Sequence, residues 1–353
     1  MGGLNRPSYL GLFYLAKLVR GGAWWYAKIP PLTAIIYALL LIRPPQAGAA
    51  FAILLGILWS LGSLFSFGYV VNDVFDIVED QRVGKLNAMA QKRPWQRAFL
   101  CSLFFAAGFL PWLWINFGRF AAVLLLVNYG LPMAYSIPPL RLKERGLLGI
   151  VADAIMVHAL PTLFVSLCVC RLVAGFGRTS LQLTIMATAW ALFFGLRGIL
   201  IHQIQEHEND SRAGLRTMAV RSGPDCLRRI GRVCFFFLEV PSQIVLAVMI
   251  FPFAPAVLFV LILYAVFDIA RHKTWRMSFD PVPTARGTYI TLADFNEVWL
   301  PLSIAVSLGV RKAPFLVLLV FHFGLFYGDI KKRICEVVAL VSEKKKRLRT
   351  GRT

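Results

Sequence analysis

Residues 72–80 read Asn-Asp-Val-Phe-Asp-Ile-Val-Glu-Asp and close an apolar stretch. Asp73, Asp76 and Asp80 are spaced i, i+3, i+7, which puts them on one face of a helix. Three carboxylates crowded at the rim of a membrane repel one another, and a divalent cation is the simplest compensation. Mg²⁺ takes oxygen ligands and commonly brings a substrate phosphate into its octahedron. The spacing therefore points to a metal-bound phosphate or pyrophosphate, held where a membrane helix meets water.

A second polar segment repeats the theme. Residues 202–214 read His-Gln-Ile-Gln-Glu-His-Glu-Asn-Asp-Ser-Arg-Ala-Gly, and Gln203, Glu206 and Asp210 have the same i, i+3, i+7 spacing. Two acidic faces from separate helices can hold two cations around one pyrophosphate. Arg93, Arg141, Lys143 and Arg212 fall in the same set of loops. They can neutralise the charge that develops as a pyrophosphate leaves. Carboxylates that merely end helices and solvate loops are the plainer explanation of either triplet alone. Two matching triplets among Arg and Lys favour a site, as ionisable groups at membrane depth usually do. Asp153 stands inside an apolar stretch, where a carboxylate is expensive, and is expected to pair with an Arg or orient a substrate. His158, in the same stretch, and His202 are expected to make polar contacts between helices.

The elements that position these residues are membrane helices. The chain has 353 residues, 58% of them hydrophobic and 16% charged. Ordinary soluble domains carry about 25% charged residues, so this composition excludes that class. Apolar stretches long enough to span a bilayer, roughly 17–25 residues each, recur along the chain. Helices are predicted near residues 25–43, 49–74, 98–117, 119–137, 147–170, 180–204, 232–251 and 253–270, with a last apolar block at 298–329. The fold class is thus all-α: about nine transmembrane helices bundled around a central cavity, capped by polar loops. Pro30-Pro31, Pro44-Pro45 and Pro138-Pro139 each suggest a nearby helix end. Trp24, Trp25 and Tyr26 resemble an interfacial anchor.

The net charge of +20 does not point to nucleic acid, because Lys and Arg lie between the apolar blocks. There they set topology and attract anionic lipid. The loops at 75–97, 141–145, 205–231 and 271–297 share one side if the helices alternate, and their basic character predicts a cytoplasmic side. This gives a multi-pass protein of the cell inner membrane with its site loops in the cytoplasm. A cytoplasmic segment 1–23 precedes a transmembrane domain at 24–330, and a basic tail follows at 331–353. The run Lys344-Lys345-Lys346-Arg347-Leu348-Arg349 in that tail is expected to face anionic lipid. Nine spans would leave the tail outside, whereas a hairpin at Arg311-Lys312-Ala313-Pro314 would return it. The six cysteines show no Cys-x-x-Cys spacing and are expected to be small buried hydrophobes. The N-terminus lacks a cleavable signal pattern, so the first apolar segment is expected to stay as an anchor.

On these residues the chain resembles the UbiA superfamily of intramembrane prenyltransferases. That family's first motif is Asn-Asp-x-x-Asp-x-x-x-Asp followed by Arg-Pro, which Asn72 to Asp80 and Arg93-Pro94 fit. Its second is Asp-x-x-Asp-x-x-x-Asp with a later Val-Arg-x-Gly, which residues 203–223 fit more loosely, ending Val220-Arg221-Ser222-Gly223. Residues 135–143, Tyr-Ser-Ile-Pro-Pro-Leu-Arg-Leu-Lys, resemble the family's Tyr-Ser-Pro-Pro-x-x-Lys loop. The match runs over about residues 20–330. Two departures stand out: Gln203 and Glu206 replace Asp, and Arg93 lies farther from Asp80 than usual, so that Lys85, Asn87 and Lys92 between them are expected to fill part of its role.

The resemblance implies a mechanism. Asp73, Asp76 and Asp80, with Glu206 and Asp210, bind Mg²⁺. The cations grip the pyrophosphate of an isoprenyl donor beside Asn72, Gln203 and Arg212. Lys92, Arg93, Arg141 and Lys143 help draw it away, and a lipophilic, aromatic acceptor captures the allylic carbocation. Other branches of the superfamily move phosphoribosyl groups onto polyprenyl phosphates or cyclise the isoprenyl chain. A transporter of a phosphorylated metabolite is a competing class, but the chain shows no internal repeat with broken midplane helices.

Overall fold

The computed structural model describes residues 17–275, 279–285 and 289–350, with side-chain surroundings given as far as Ser342. Most of the expected N-terminal segment and the side chains of the basic run at 344–349 lie outside the described residues. The described chain is helical: α1 Gly21–Ile42, α2 Ala47–Phe75, α3 Ile77–Arg82, α4 Pro94–Phe109, α5 Arg119–Ser136, α6 Leu147–Ala154 and α7 Leu160–Val169. There follow α8 Arg178–Ala213, α9 Met218–Ser222, α10 Pro224–Cys234, α11 Val240–Ile250, α12 Ala256–Thr274, α13 Leu300–Arg311 and α14 Leu316–Thr350. Among the described residues, seven helices are long and apolar enough to cross a membrane. Large side chains such as Trp114, Phe120 and Ile185 are exposed around the bundle, as lipid-facing surface requires.

Helix α1 is the central post. Ile29 and every residue of the run Ala34–Leu41 are essentially buried, and α1 packs against α2, α7 and α13. Pro30 and Pro31 stand inside α1 rather than at an end. A proline inside a helix frees a carbonyl, which a membrane helix must satisfy by other means. The carbonyls freed by Pro30 and Pro31 are those of Tyr26 and Ala27; the Thr33 hydroxyl makes a separate bond, donating to the Pro30 carbonyl at 2.7 Å.

Of four π turns among the described residues, one, Cys170–Ala174, ends a helix before Gly175, and three lie within helices, at Ile155–Ala159, Phe235–Glu239 and Phe295–Trp299. Each of these three is followed within two residues by a proline: Pro161, Pro241 and Pro301. A proline ring crowds the carbonyl of residue i−4, and one extra residue in that turn opens the space. The same turns carry His158, Glu239 and Glu297.

The last apolar block is a hairpin. The chain turns at Lys312–Phe315, and α14 packs back along α13. The first half of α14 meets α1, with Tyr37 Oη and His322 Nδ1 3.4 Å apart. Its second half, beyond a kink at Phe326, reaches the 271–297 loop: Glu336 lies 3.7 Å and Asp294 3.1 Å from Arg271, and Arg333 is 4.0 Å from Asp294. The hairpin therefore brings the tail to the end of the bundle that carries the polar loops.

Candidate active site

Those loops knit into one cap. Arg82 donates to the Ala213 carbonyl at 3.2 Å, Arg221 to the Glu144 carbonyl at 2.8 Å, and Gln205 to the Ala285 carbonyl at 3.2 Å. Beneath them a cavity of about 730 Å³ opens into the bundle. It is lined by Asn72, Asp76 and Asp80 from one wall, by Gln203, Glu206 and Asp210 from the facing wall, and by Lys143 from the loop between.

The first acidic face is not one unbroken helix. Helix α2 ends at Phe75, and Asp76 adopts φ −110°, ψ 11° before α3 begins. The Asp80 N–H still donates to the Asp76 carbonyl at 2.8 Å, so both side chains keep the cavity face. Asp73 sits behind them, only 1% exposed. The second face belongs to a continuous α8, which ends at Gly214 in the left-handed region (φ 79°) with the Leu215 N–H on the Asp210 carbonyl at 2.9 Å.

Basic side chains hold the carboxylates apart. Arg20 Nη2 is 2.7 Å from Asp73 Oδ1 and 3.6 Å from Asp80. Lys85 Nζ is 2.6 Å from Glu206, and Lys143 pairs with Asp76. Arg141 contacts Glu79 at 2.8 Å and Asp76 at 3.5 Å, and also pairs with Glu144. Arg141 holds φ at 38°, a left-handed conformation that costs a non-glycine residue of order 1–3 kcal/mol; its ion pairs hold it there. Gly149 lets the 142–144 turn lie against α6, since a Cβ there would sit 2.5 Å from the Leu142 carbonyl oxygen. That close approach sets Lys143 beside Asp76. Burial pulls the Lys143 ammonium below the usual lysine range, with Asp76 opposing. Burial also works against the Arg141 charge, but Glu144, Glu79 and Asp76 outweigh it and push its pKa up.

Several residues expected from the sequence stand elsewhere. Arg93 is exposed at the start of α4, where its backbone N–H donates to Gln96 Oε1 at 2.9 Å. Lys92 lies in the preceding turn, with its backbone N–H on the Met89 carbonyl. Arg212 is exposed and faces Glu208 at 3.4 Å along α8. None of the three lines the cavity. In their place the structure brings in Arg20, Lys85 and Asn87, whose Nδ2 donates to Asp80 Oδ2 at 2.8 Å. Arg20 reads in sequence as one topology-setting charge before the aromatic anchor, and nothing local marks it as a partner for residues some fifty positions on. Gln203 is 3% exposed, and its carbonyl oxygen accepts the Ala219 N–H at 3.3 Å.

The donor set suits a hard cation. Carboxylate and amide oxygens dominate this end of the cavity, and Asp73 Oδ2 is buried with no hydrogen-bond partner among the described residues. No three His, Cys, Asp or Glu side chains among the described residues converge into a ready-made metal cage. A Mg²⁺ ion held by one or two carboxylates takes its other ligands from water and substrate phosphate.

The family model described as the UbiA prenyltransferase family matches residues 29–280. No curated protein matches the chain in sequence. Among solved structures, a UbiA homolog from Archaeoglobus fulgidus bound to GPP and Mg²⁺ is similar at 14% identity and a TM-score of 0.53, over 87% of this chain and 99% of that one. A UbiA homolog from Archaeoglobus fulgidus bound to DMAPP and Mg²⁺ is similar at 15% identity and a TM-score of 0.50, over 90% and 99%. A digeranylgeranylglyceryl phosphate synthase is similar at 13% identity and a TM-score of 0.51, over 91% and 99%. The likeness to these structures is one of fold.

Proposed function

Because the chain belongs to the UbiA prenyltransferase family, we propose that it transfers an isoprenyl group from an isoprenyl pyrophosphate to a lipophilic acceptor, with Mg²⁺ and inside the membrane. The observation that carries this reading is the meeting of two acidic faces, from α2–α3 and α8, across one cavity that continues into the bundle. A pyrophosphate fits the polar end and an apolar chain the rest.

Asp73, Asp76 and Asp80, with Glu206 and Asp210, would hold the Mg²⁺. When bound, it neutralises the pyrophosphate and withdraws charge from the breaking C–O bond. The chain's own groups do the remainder. Asn72 and Asn209 offer amide groups beside the phosphates. Arg20, Lys85 and Lys143, engaged with carboxylates in the ligand-free site, exchange those partners for phosphate oxygens as the donor enters. Arg141 steadies the Lys143 turn and adds positive charge where the leaving group departs. Closure of the cap excludes water from the allylic carbocation.

The loops at 75–97, 141–146, 205–231 and 271–297 are proposed to lie in the cytoplasm at the inner membrane. The C-terminal end of α14 joins them there and meets anionic lipid. The test is to incubate purified protein and Mg²⁺ with labelled isoprenyl pyrophosphates and with phosphoribosyl pyrophosphate. Pyrophosphate release from an isoprenyl donor is expected. Release from phosphoribosyl pyrophosphate alone would move the protein to the phosphoribosyl branch, and a cyclic product without acceptor would make it a cyclase.

A further inference from the structure

The end of the bundle opposite the cap carries positive charge with no counter-charge of its own. Its connections run over 43–46, 110–118, 170–177, 251–255 and 312–315. Arg43, Arg119, Arg171, Arg178, Arg311 and Lys312 stand in these connections or at the helix ends beside them, and all are exposed. No Asp or Glu occurs in those stretches. Among the described residues none of these cations is in an ion pair.

Local structure does not account for them. Arg119 and Arg178 are the first residues of α5 and α8, where the helix dipole opposes a cation, and neither first turn holds an acid. Arg43 and Arg311 stand at the C-terminal ends of α1 and α13, where the dipole favours a cation but supplies no full counter-charge. Exposed Trp114, Phe120, Phe176 and Phe251 lie at the same end, and the Arg119 guanidinium sits 5.4 Å from the centroid of Phe120. Aromatic side chains such as Trp114 mark the head-group level of a bilayer. The counter-charge within reach is therefore lipid phosphate.

One part of this surface is a groove. Between the α11–α12 turn and α13 lies an open recess of about 390 Å³, with Phe253, Pro255, Val306 and Val310 among its walls and Arg311 in its lining. Arg311 Nη1 donates to the Leu41 carbonyl at 3.1 Å, which ties the groove to the end of α1, two residues from Arg43. Its Nε and Nη2 have no hydrogen-bond partner among the described residues. Lys312 follows in the turn to α14. An apolar recess beside three cations suits an amphiphile with a negative head. A zwitterionic head group brings its own ammonium and leaves the charge of this end unrelieved.

We propose that this end binds anionic phospholipid, with Arg43, Arg311 and Lys312 holding the phosphate and the groove taking part of an acyl chain. The site belongs to the leaflet away from the acidic faces and does not depend on the donor reading.

The test uses the full protein in nanodiscs made of equal parts dioleoylphosphatidylglycerol and dioleoylphosphatidylcholine. Val310→benzoylphenylalanine puts a photo-reactive group in the groove, and Val266→benzoylphenylalanine puts one on the exposed middle of α12 as a reference. Cross-linked lipid is identified by mass. The ratio of phosphatidylglycerol to phosphatidylcholine adducts should be at least about fivefold higher at position 310, the scale of one surface cation acting on anionic lipid. Arg43→Gln with Lys312→Gln breaks no side-chain hydrogen bond or ion pair among the described residues, and should bring that ratio towards the reference. Arg311→Gln should do the same, and Arg311→Lys should keep the enrichment. If Arg311→Gln fails to fold for want of its bond to Leu41, the Arg43–Lys312 variant decides alone. Equal ratios at the two positions overturn the proposal, as does enrichment that the Arg43–Lys312 variant leaves unmoved. Cross-linking at position 310 to a second copy of the chain, or to no lipid, overturns it too.

Discussion

Asp76 occupies the break between α2 and α3, so its carboxylate meets the cavity from a point where the backbone already turns. Replacing Asp76 by Asn keeps the shape but removes one charge from the proposed metal set and the partner of Lys143. Turnover should fall at least about a hundredfold, the scale of losing one preorganised electrostatic group, with the detergent-extracted protein still unfolding at its wild-type temperature. Wild-type activity in this variant, or activity indifferent to EDTA, refutes the metal assignment. Gln203→Asp is expected to act in the opposite direction. It adds a carboxylate to the second face and should lower the Mg²⁺ concentration for half-maximal activity. An unchanged requirement would mean that the Ala219 N–H is the whole business of that side chain. Both acidic faces were legible in the sequence because helical spacing alone brings i, i+3 and i+7 together. Arg20 was not, because its pairing with Asp73 is a product of tertiary packing between distant segments; Lys85 was in view as a basic group near the first motif, but its pairing with Glu206 was not.

At the level of elements, the prolines carried more information than their pairs suggested. Pro30 and Pro31 read as a nearby helix end, yet both stand inside α1. Single prolines at 161, 241 and 301 follow three of the π turns instead, and the polar residues His158, Glu239 and Glu297 fall there. Periodicity over an apolar stretch cannot show a one-residue shift of phase. For the same reason, among the described residues Asp153 pairs with no arginine and His158 has no hydrogen bond to a neighbouring helix: both line the cavity. The Arg197–Glu239 pair belongs to this scale as well. Both side chains are at most 1% exposed, and Glu239→Gln leaves a guanidinium underpaired in the interior. A loss of about 3–5 kcal/mol is expected for breaking such a pair, read as a lower unfolding temperature. Unaltered stability would show that the Pro281 and Thr291 carbonyls suffice to hold Arg197.

Across the whole molecule, the bundle has one polar end. The sequence predicted the helical class from its apolar stretches and the shared side of the four loops from helix alternation, but left the last apolar block undecided between one helix and two. The turn at Lys312–Phe315 and the contacts of Arg333 and Glu336 with the 271–297 loop decide for a hairpin. Single cysteines placed in residues 75–97, 141–146, 205–231 or 271–297, or appended after residue 353, should therefore share one fate. In intact cells an impermeant thiol reagent should spare all of them. Labelling of the appended cysteine alone would contradict the hairpin, and labelling of every site would invert the membrane orientation while leaving the fold intact.

The clasp of α14 on Arg271 and Asp294 also sets an order of assembly. During synthesis α14 leaves the ribosome after the other thirteen helices have emerged. Until it turns back along α13, the segment that roofs the cavity lacks Glu336 and Arg333. The nascent enzyme thus has its acidic faces in the bilayer before its roof is fastened. A chain cut before residue 333 would lack both of these contacts with the roof.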